Sequence, residues 1–231
     1  MKRLVICLLL LVGFSSGSNA YADTCLPCLI NQEIKTLTPE THNLNPHVLA
    51  LALKAYTCAK AKNMTASVRP VLTIIDYSLP STEKRLWVFD LLQEKVLFNA
   101  LVAHGKDTGE DMATQFSDKM GSEESSLGLF LTESTYAGKH AYEMKIAGLE
   151  RGFNDRAEAR HIVMHAGWYV SENFIRLHNM LGRSWGCPAV SPDVVVPIIN
   201  TIKNGTLLFA YYPDSTWLQQ SEYLHCPAVE S

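Results

Sequence analysis

Gly182-Arg183-Ser184-Trp185-Gly186-Cys187-Pro188 is the stretch on which the rest of the sequence turns. A cysteine set between glycine and proline reads as part of a tight turn, where backbone N–H groups point outward and can hold the oxyanion of a tetrahedral intermediate. Upstream, the strand-like run Ile162-Val163-Met164 ends at His165-Ala166-Gly167. A histidine at the end of a strand is fixed by the sheet while its ring faces a cleft. A free thiol has a pKa of about 8.5, so a neighbouring imidazole is the usual means of making a thiolate. The same two residues also fit a blander reading, a bridge cysteine and a core histidine.

The surroundings of this motif read as a mainly β chain. Val71–Tyr77, Arg85–Leu91 and Val96–Ala103 are short runs rich in β-branched and aromatic residues, hence strands, with Ser78–Lys84 and Leu92–Lys95 as the turns between them. A polar, glycine-bearing stretch from His104 to Ser126 is too long for a hairpin and reads as a functional loop. Leu127–Thr132 and His161–His165 are further strands. Ser191-Pro192-Asp193 starts a helix, Gly205 follows its end, and Thr206–Tyr212 is the final strand. Before all of these, Asn45 and Pro46 are an N-cap and a first-turn proline, and Leu49, Leu53 and Tyr56 share one face of a helix over residues 45–62.

His165 followed by Cys187 in Ser184-Trp185-Gly186-Cys187 resembles the H-G…S-x-G-C signature of the L,D-transpeptidase (YkuD-like) catalytic domain, in its G-R-S-x-G-C-P branch. His104-Gly105-Lys106, Ser126-Leu127-Gly128 and Gly148-Leu149-Glu150 occur in the family's order. The resemblance covers residues 70–213. It implies a mainly β, sandwich-type domain with flanking helices and an N-terminal helical element. It also implies a cysteine acyltransferase acting on peptidoglycan stem peptides: release of D-alanine, then transfer of the acyl group to an amine. Carried onto this chain, Cys187 is the nucleophile and His165 the base; the Gly186 and Cys187 amides are oxyanion donors and Ser184 shapes the turn. Two departures stand out, Trp185 where many members have Arg or His, and Ala189 where Asn or Arg is frequent. Arg183 either supplies the lost positive charge or pairs with a surface acid.

Other residues bear on the same cleft. Arg183, Trp185, His104 and Tyr142 are candidates for substrate contact, and Tyr136 and Tyr142, flanking Gly138-Lys139, suggest a lid. His161 shares a strand face with His165 at the i, i+4 spacing, and His178 is the rival base. No H-x-x-x-H or H-E-x-x-H pattern falls on a helix, so neither a metal nor a cofactor is expected. Water in place of the amine would make the same site an L,D-carboxypeptidase. A non-catalytic cell-wall-binding module, or a thiol oxidoreductase built on Cys25 and Cys28, are the competing classes.

The N-terminal residues speak to compartment. Lys2 and Arg3 precede an apolar run from Leu4 to Val12, and small residues close on Ala20-Tyr21-Ala22. That is the pattern of a cleaved secretory signal over residues 1–22, followed by a helical extension over 23–69, the catalytic domain over 70–213 and a tail over 214–231. The expected location is the periplasm or cell envelope, with no stable membrane insertion after cleavage. Loss of Lys2 and Arg3 takes the formal charge from −3 to −5. A mildly acidic chain with no basic stripe is a poor nucleic-acid binder. Five cysteines remain, Cys25, Cys28, Cys58, Cys187 and Cys226. With Cys187 free, the other four can make two bridges; one of the Cys25/Cys28 pair bridging to Cys58, with Cys226 taking the other, fits the sequence, which does not choose among the three possible pairings.

Overall fold

A computed structural model describes residues 41, 43–65 and 67–226, so the signal-like segment, Cys25 and Cys28 lie outside the described residues. Helix α1 (Pro46–Ala61) begins as its sequence dictates: the Asn45 side chain accepts from the His47 N–H and Pro46 takes the first turn. The face buried by Val48, Leu49, Ala52, Leu53 and Tyr56 packs against the sheet strands β1 (Val71–Asp76) and β9 (Leu207–Tyr211). Both strands are buried along their whole length. They pair in parallel, which is the arrangement that near-continuous apolar runs favour.

The fold is mainly β, as expected. β2 (Leu86–Asp90) and β3 (Lys95–Ala100) extend one side by antiparallel pairing, and the expected third strand breaks at Leu101, beyond which β4 (Val102–Ala103) joins β8 (Ala189–Val190). On the other side of β9 come β5 (Gly128–Gly138), β6 (Ala141–Gly148) and β7 (Val163–Ala166). The nine-strand order is β3-β2-β1-β9-β5-β6-β7-β8-β4. Because the two edge strands, β3 and β4, are separated by a single residue, the sheet must curl back on itself into a near-barrel.

Two expectations need correction. The chain from Glu133 to Lys145 forms the outer half of a long β5–β6 hairpin, turning at Lys139 and His140. Residues 133–142 bury no side chain, so the strand's extension past Thr132 carries little apolar signal, and the alternation of Tyr142, Met144 and Ile146 in β6 went unread. The strand bearing His165 starts at Val163, since His161 has φ 55° and turns the chain; the shared strand face proposed for His161 and His165 therefore does not exist.

Helix α2 (Glu172–His178) buries none of its residues, whereas α3 (Pro192–Ile202), capped by Ser191, buries Val195, Ile198, Ile199 and Ile202. The last helix, α4 (Ser215–Gln220), inserts Trp217 into the core, where its indole N–H donates to the buried Glu150 carboxylate at 3.0 Å. Glu150 also accepts from the Leu129 N–H at 2.6 Å, so it fastens the C-terminal segment to β5. α1, the sheet, α3 and α4 share one core. Cys58 of α1 is bonded to Cys226, so the bridge from Cys58 to one of the Cys25/Cys28 pair does not form. The C-terminal segment lies along α1, with Lys62 paired to Glu222 and over the Tyr223 ring, and so brings Cys226 rather than the N-terminal pair to Cys58.

Candidate active site

The turn that carries Cys187 is fastened at several points. Ser184 N–H donates to the His104 carbonyl at 3.0 Å, and Lys106 N–H donates to the Ser184 carbonyl at 2.8 Å. Inside the turn, the Ser184 hydroxyl donates to the Cys187 carbonyl at 2.6 Å and accepts from the Gly186 N–H at 3.2 Å. Ser125 closes the other side: its hydroxyl donates to the Gly186 carbonyl at 3.1 Å and accepts from the Gly105 N–H at 3.0 Å. Gly186 is at φ +111°, and a Cβ there would lie 2.7 Å from the Glu124 carbonyl oxygen. Only glycine meets both demands.

The two amides expected at the oxyanion site differ in their bonding. The Gly186 amide donates to the Ser184 hydroxyl, whereas the Cys187 amide meets no protein acceptor among the described residues.

Cys187 is the free cysteine among the described residues. It shares a cavity of about 490 Å³ with His165, Arg183, Ser184, Trp185, Tyr136, Lys139, His140, Glu143, Arg160, His161 and Tyr169. Sγ accepts from the Val163 N–H at 3.4 Å, so the strand that delivers His165 also seats the thiol. His165 Nδ1 lies 2.9 Å from the Ala166 carbonyl. A carbonyl only accepts, which assigns the proton to Nδ1 and leaves the Nε2 lone pair available.

Burial sets the resting charges. It pushes the Cys187 thiol up to about 11, opposed by the Val163 N–H, with Glu143 adding to the rise and Arg160 countering it. Burial also holds the 3% exposed His165 below its ordinary value, helped by His140 and opposed by the Ala166 carbonyl and Glu143. The resting pair is thus thiol and neutral imidazole. Glu143 goes the other way: burial resists its charge, but the Tyr136 hydroxyl, the His140 amide and the two histidines outweigh that and hold it below the usual carboxylate range.

The remaining candidates divide. Arg183 lines the cavity, and its guanidinium donates to the carbonyls of Lys106 and Gly109 at 3.4 and 3.2 Å; among the described residues it forms no ion pair, so the surface-acid alternative falls. Trp185 is exposed at the cavity mouth with Lys139 above its ring at 5.4 Å. His104 does not reach the cavity. It is buried, with Nδ1 accepting from Arg85 at 2.7 Å and Nε2 donating to the Gly109 carbonyl at 3.3 Å. Burial first, then Arg85, lowers it to about 4; it is a neutral strut beneath the turn. Tyr142 sits on the outer hairpin, donating to Asn200 at 2.8 Å, and His178 ends α2 beside a separate groove.

His140, Glu143, Arg160 and Tyr169 escaped the sequence reading. Arg160 stands behind the sulfur, donating to the carbonyls of Ser117 and Glu124 and the hydroxyls of Ser126 and Ser122. It thereby pins the long loop against the segment before β7. The run Arg160-His161 just ahead of an apolar strand was the available signal for it.

Residues 40–211 match the model of the L,D-transpeptidase catalytic domain. No curated protein matches the sequence. Among solved structures, the chain resembles an L,D-transpeptidase from Mycobacterium smegmatis at 11% identity and TM-score 0.40, over 62% of this chain and 59% of that one. It resembles an L,D-transpeptidase from Stackebrandtia nassauensis at 14% and 0.37, over 78% and 76%. A third is the helical cell shape determining protein Pgp2 from Campylobacter jejuni, at 11% and 0.40, over 69% and 54%. The chain thus spans less than two thirds of the first and third of these.

Proposed function

Because the chain belongs to the L,D-transpeptidase catalytic-domain family, we propose that it is a cysteine acyltransferase acting on peptidoglycan stem peptides. The observation that carries this reading is the seating of a half-buried free thiol and a tautomer-fixed imidazole in one cavity. As the donor peptide enters, the Cys187 thiol attacks the carbonyl that precedes the terminal D-alanine, and Nε2 of His165 takes the thiol proton. The tetrahedral oxyanion is held by the Cys187 amide. Collapse breaks the peptide C–N bond, and His165 returns the proton to the departing D-alanine nitrogen, leaving a thioester. An acceptor amine then attacks the thioester, losing its proton to His165, and the thiol is regenerated.

The wall chemistry fits a substrate with free carboxylates. Lys139 and Arg183 line the cavity with one acid, Glu143, while the Arg160 guanidinium on the same wall is paired with Asp118 and bonded to the long loop. The same reading places the protein in the periplasm or cell envelope after removal of residues 1–22, in keeping with a Cys58–Cys226 bond that persists in an oxidising compartment. The test is product analysis with a tetrapeptide muropeptide donor, with and without an added amine. Cross-linked dimer or amide product together with D-alanine supports transfer. D-alanine with tripeptide alone identifies water as the acceptor, and neither product refutes the proposal.

A further inference from the structure

The His165 ring has a second ring laid on it. His140, at the turn of the β5–β6 hairpin, stacks on it with centroids 4.1 Å apart and planes 19° from parallel. His140 comes from a solvent-exposed tip, so its place over a buried imidazole needs a device to hold it. Glu143 is that device: the buried carboxylate accepts from the His140 backbone N–H at 2.6 Å and bonds the Tyr136 hydroxyl from across the hairpin. The strand is cut to fit. A Cβ on Gly138 would lie 2.3 Å from Glu143 Oε2, and Ala141 adopts φ 66°, a conformation that costs an alanine free energy and persists when its surroundings impose it.

We propose that His140, held at the hairpin tip by Glu143, is a positioning residue that fixes the plane of the His165 imidazole for proton exchange with Cys187. The inference rests on the reading of His165 as the base. The Nδ1 bond to the Ala166 carbonyl sets the tautomer of His165 but leaves the ring free to rock about that contact; the stacked His140 removes this freedom from one face. The groups that face His165 are His140 and Glu143 from the hairpin and Cys187 from the motif turn, with Lys139, Tyr136, Arg160, His161, Tyr169 and Arg183 completing the titratable wall. Of these, His140 opposes a charge on His165 and Glu143 favours it.

Three variants separate this role from a merely structural one. His140 is exposed, so its replacement leaves the core untouched. His140→Ala removes the stack, His140→Phe keeps a flat ring without ring nitrogens, and Glu143→Gln removes the carboxylate charge. Two readouts apply to each: imidazole nitrogen shifts of His165 followed by NMR against pH, and muropeptide turnover split into kcat and KM. The titration midpoint of His165 should rise in His140→Ala and fall in Glu143→Gln. Turnover should lose about 100-fold in kcat in His140→Ala, the cost typical of a slightly misplaced catalytic group, with KM little changed, and His140→Phe should recover most of it. An unmoved His165 titration in the alanine variant, or a phenylalanine variant no better than alanine, overturns the proposal. If the wild type turns over no muropeptide while the His165 midpoint shifts in opposite directions in the two variants, the proposed function fails and the positioning contact stands.

Discussion

Burial of His165 and desolvation of the half-buried Cys187 leave both uncharged at rest, and on the proposed mechanism that sets how turnover depends on pH. A neutral imidazole is the form that accepts the thiol proton. With His165 held below its ordinary 6.5, the neutral form persists into mildly acidic solution, and kcat/KM should fall only as pH drops through that lowered value. The thiol, pushed up to about 11, contributes no ionisation near neutrality. Alkylation of Cys187 by iodoacetamide should therefore show no inflection near pH 8.5, the value expected of an exposed thiol; an inflection there would mean that burial does not protect the thiol, and one well below 7 that the thiolate is preformed. Cys187→Ala should lower turnover by several orders of magnitude, and His165→Ala should do likewise while His178→Ala, beside a separate groove, should not. Comparable losses at the two histidines would reassign the base. At this scale the sequence was most readable, since Cys187 and His165 announce themselves by their neighbours in the chain. His140 and Glu143 have no such neighbours; they meet His165 only because β6 pairs with β7.

Strand and turn geometry explain both what was legible and what was not. β1 and β9 are apolar throughout and α1 carries its own cap, so their type and place follow from local chemistry. The outer β5–β6 hairpin lacks that signature because none of residues 133–142 is buried, and its pairing is a tertiary fact. The Cys187 turn depends on tertiary contacts in the same way. Gly186 must adopt positive φ and approach the Glu124 carbonyl, a demand made by the long loop that Arg160 and Ser125 hold in place. Gly186→Ala should accordingly cost about 1–3 kcal/mol and reduce turnover as the turn shifts. Thermal melting and a turnover assay on the same preparation check this, and an alanine variant with unchanged melting temperature and rate would show that the turn is looser than its contacts indicate.

Across the whole molecule, one core runs from α1 to Trp217, and the covalent link between Cys58 and Cys226 closes a sequence separation of 168 residues. A bridge closing so long a loop typically stabilises a secreted domain by about 2–4 kcal/mol, chiefly by restricting the unfolded chain. Cys58→Ser/Cys226→Ser should therefore melt at lower temperature than the wild type while keeping turnover at permissive temperature; an unchanged melting temperature would assign the bridge no role in folding stability. The pairing was beyond the sequence because the packing of the C-terminal segment along α1 follows from Trp217 and Glu150, far from either cysteine in the chain. The same folding brings the motif turn, β7 and the hairpin around one thiol, and the central claim is that this thiol becomes acylated. Intact-mass analysis after brief incubation with a tetrapeptide muropeptide donor tests it most directly. The predicted result is an adduct equal to the donor less D-alanine, mapped to the peptide containing Cys187 and absent from Cys187→Ala. A folded wild-type protein that releases D-alanine with the adduct on another residue, or that forms no adduct and releases none, would contradict it.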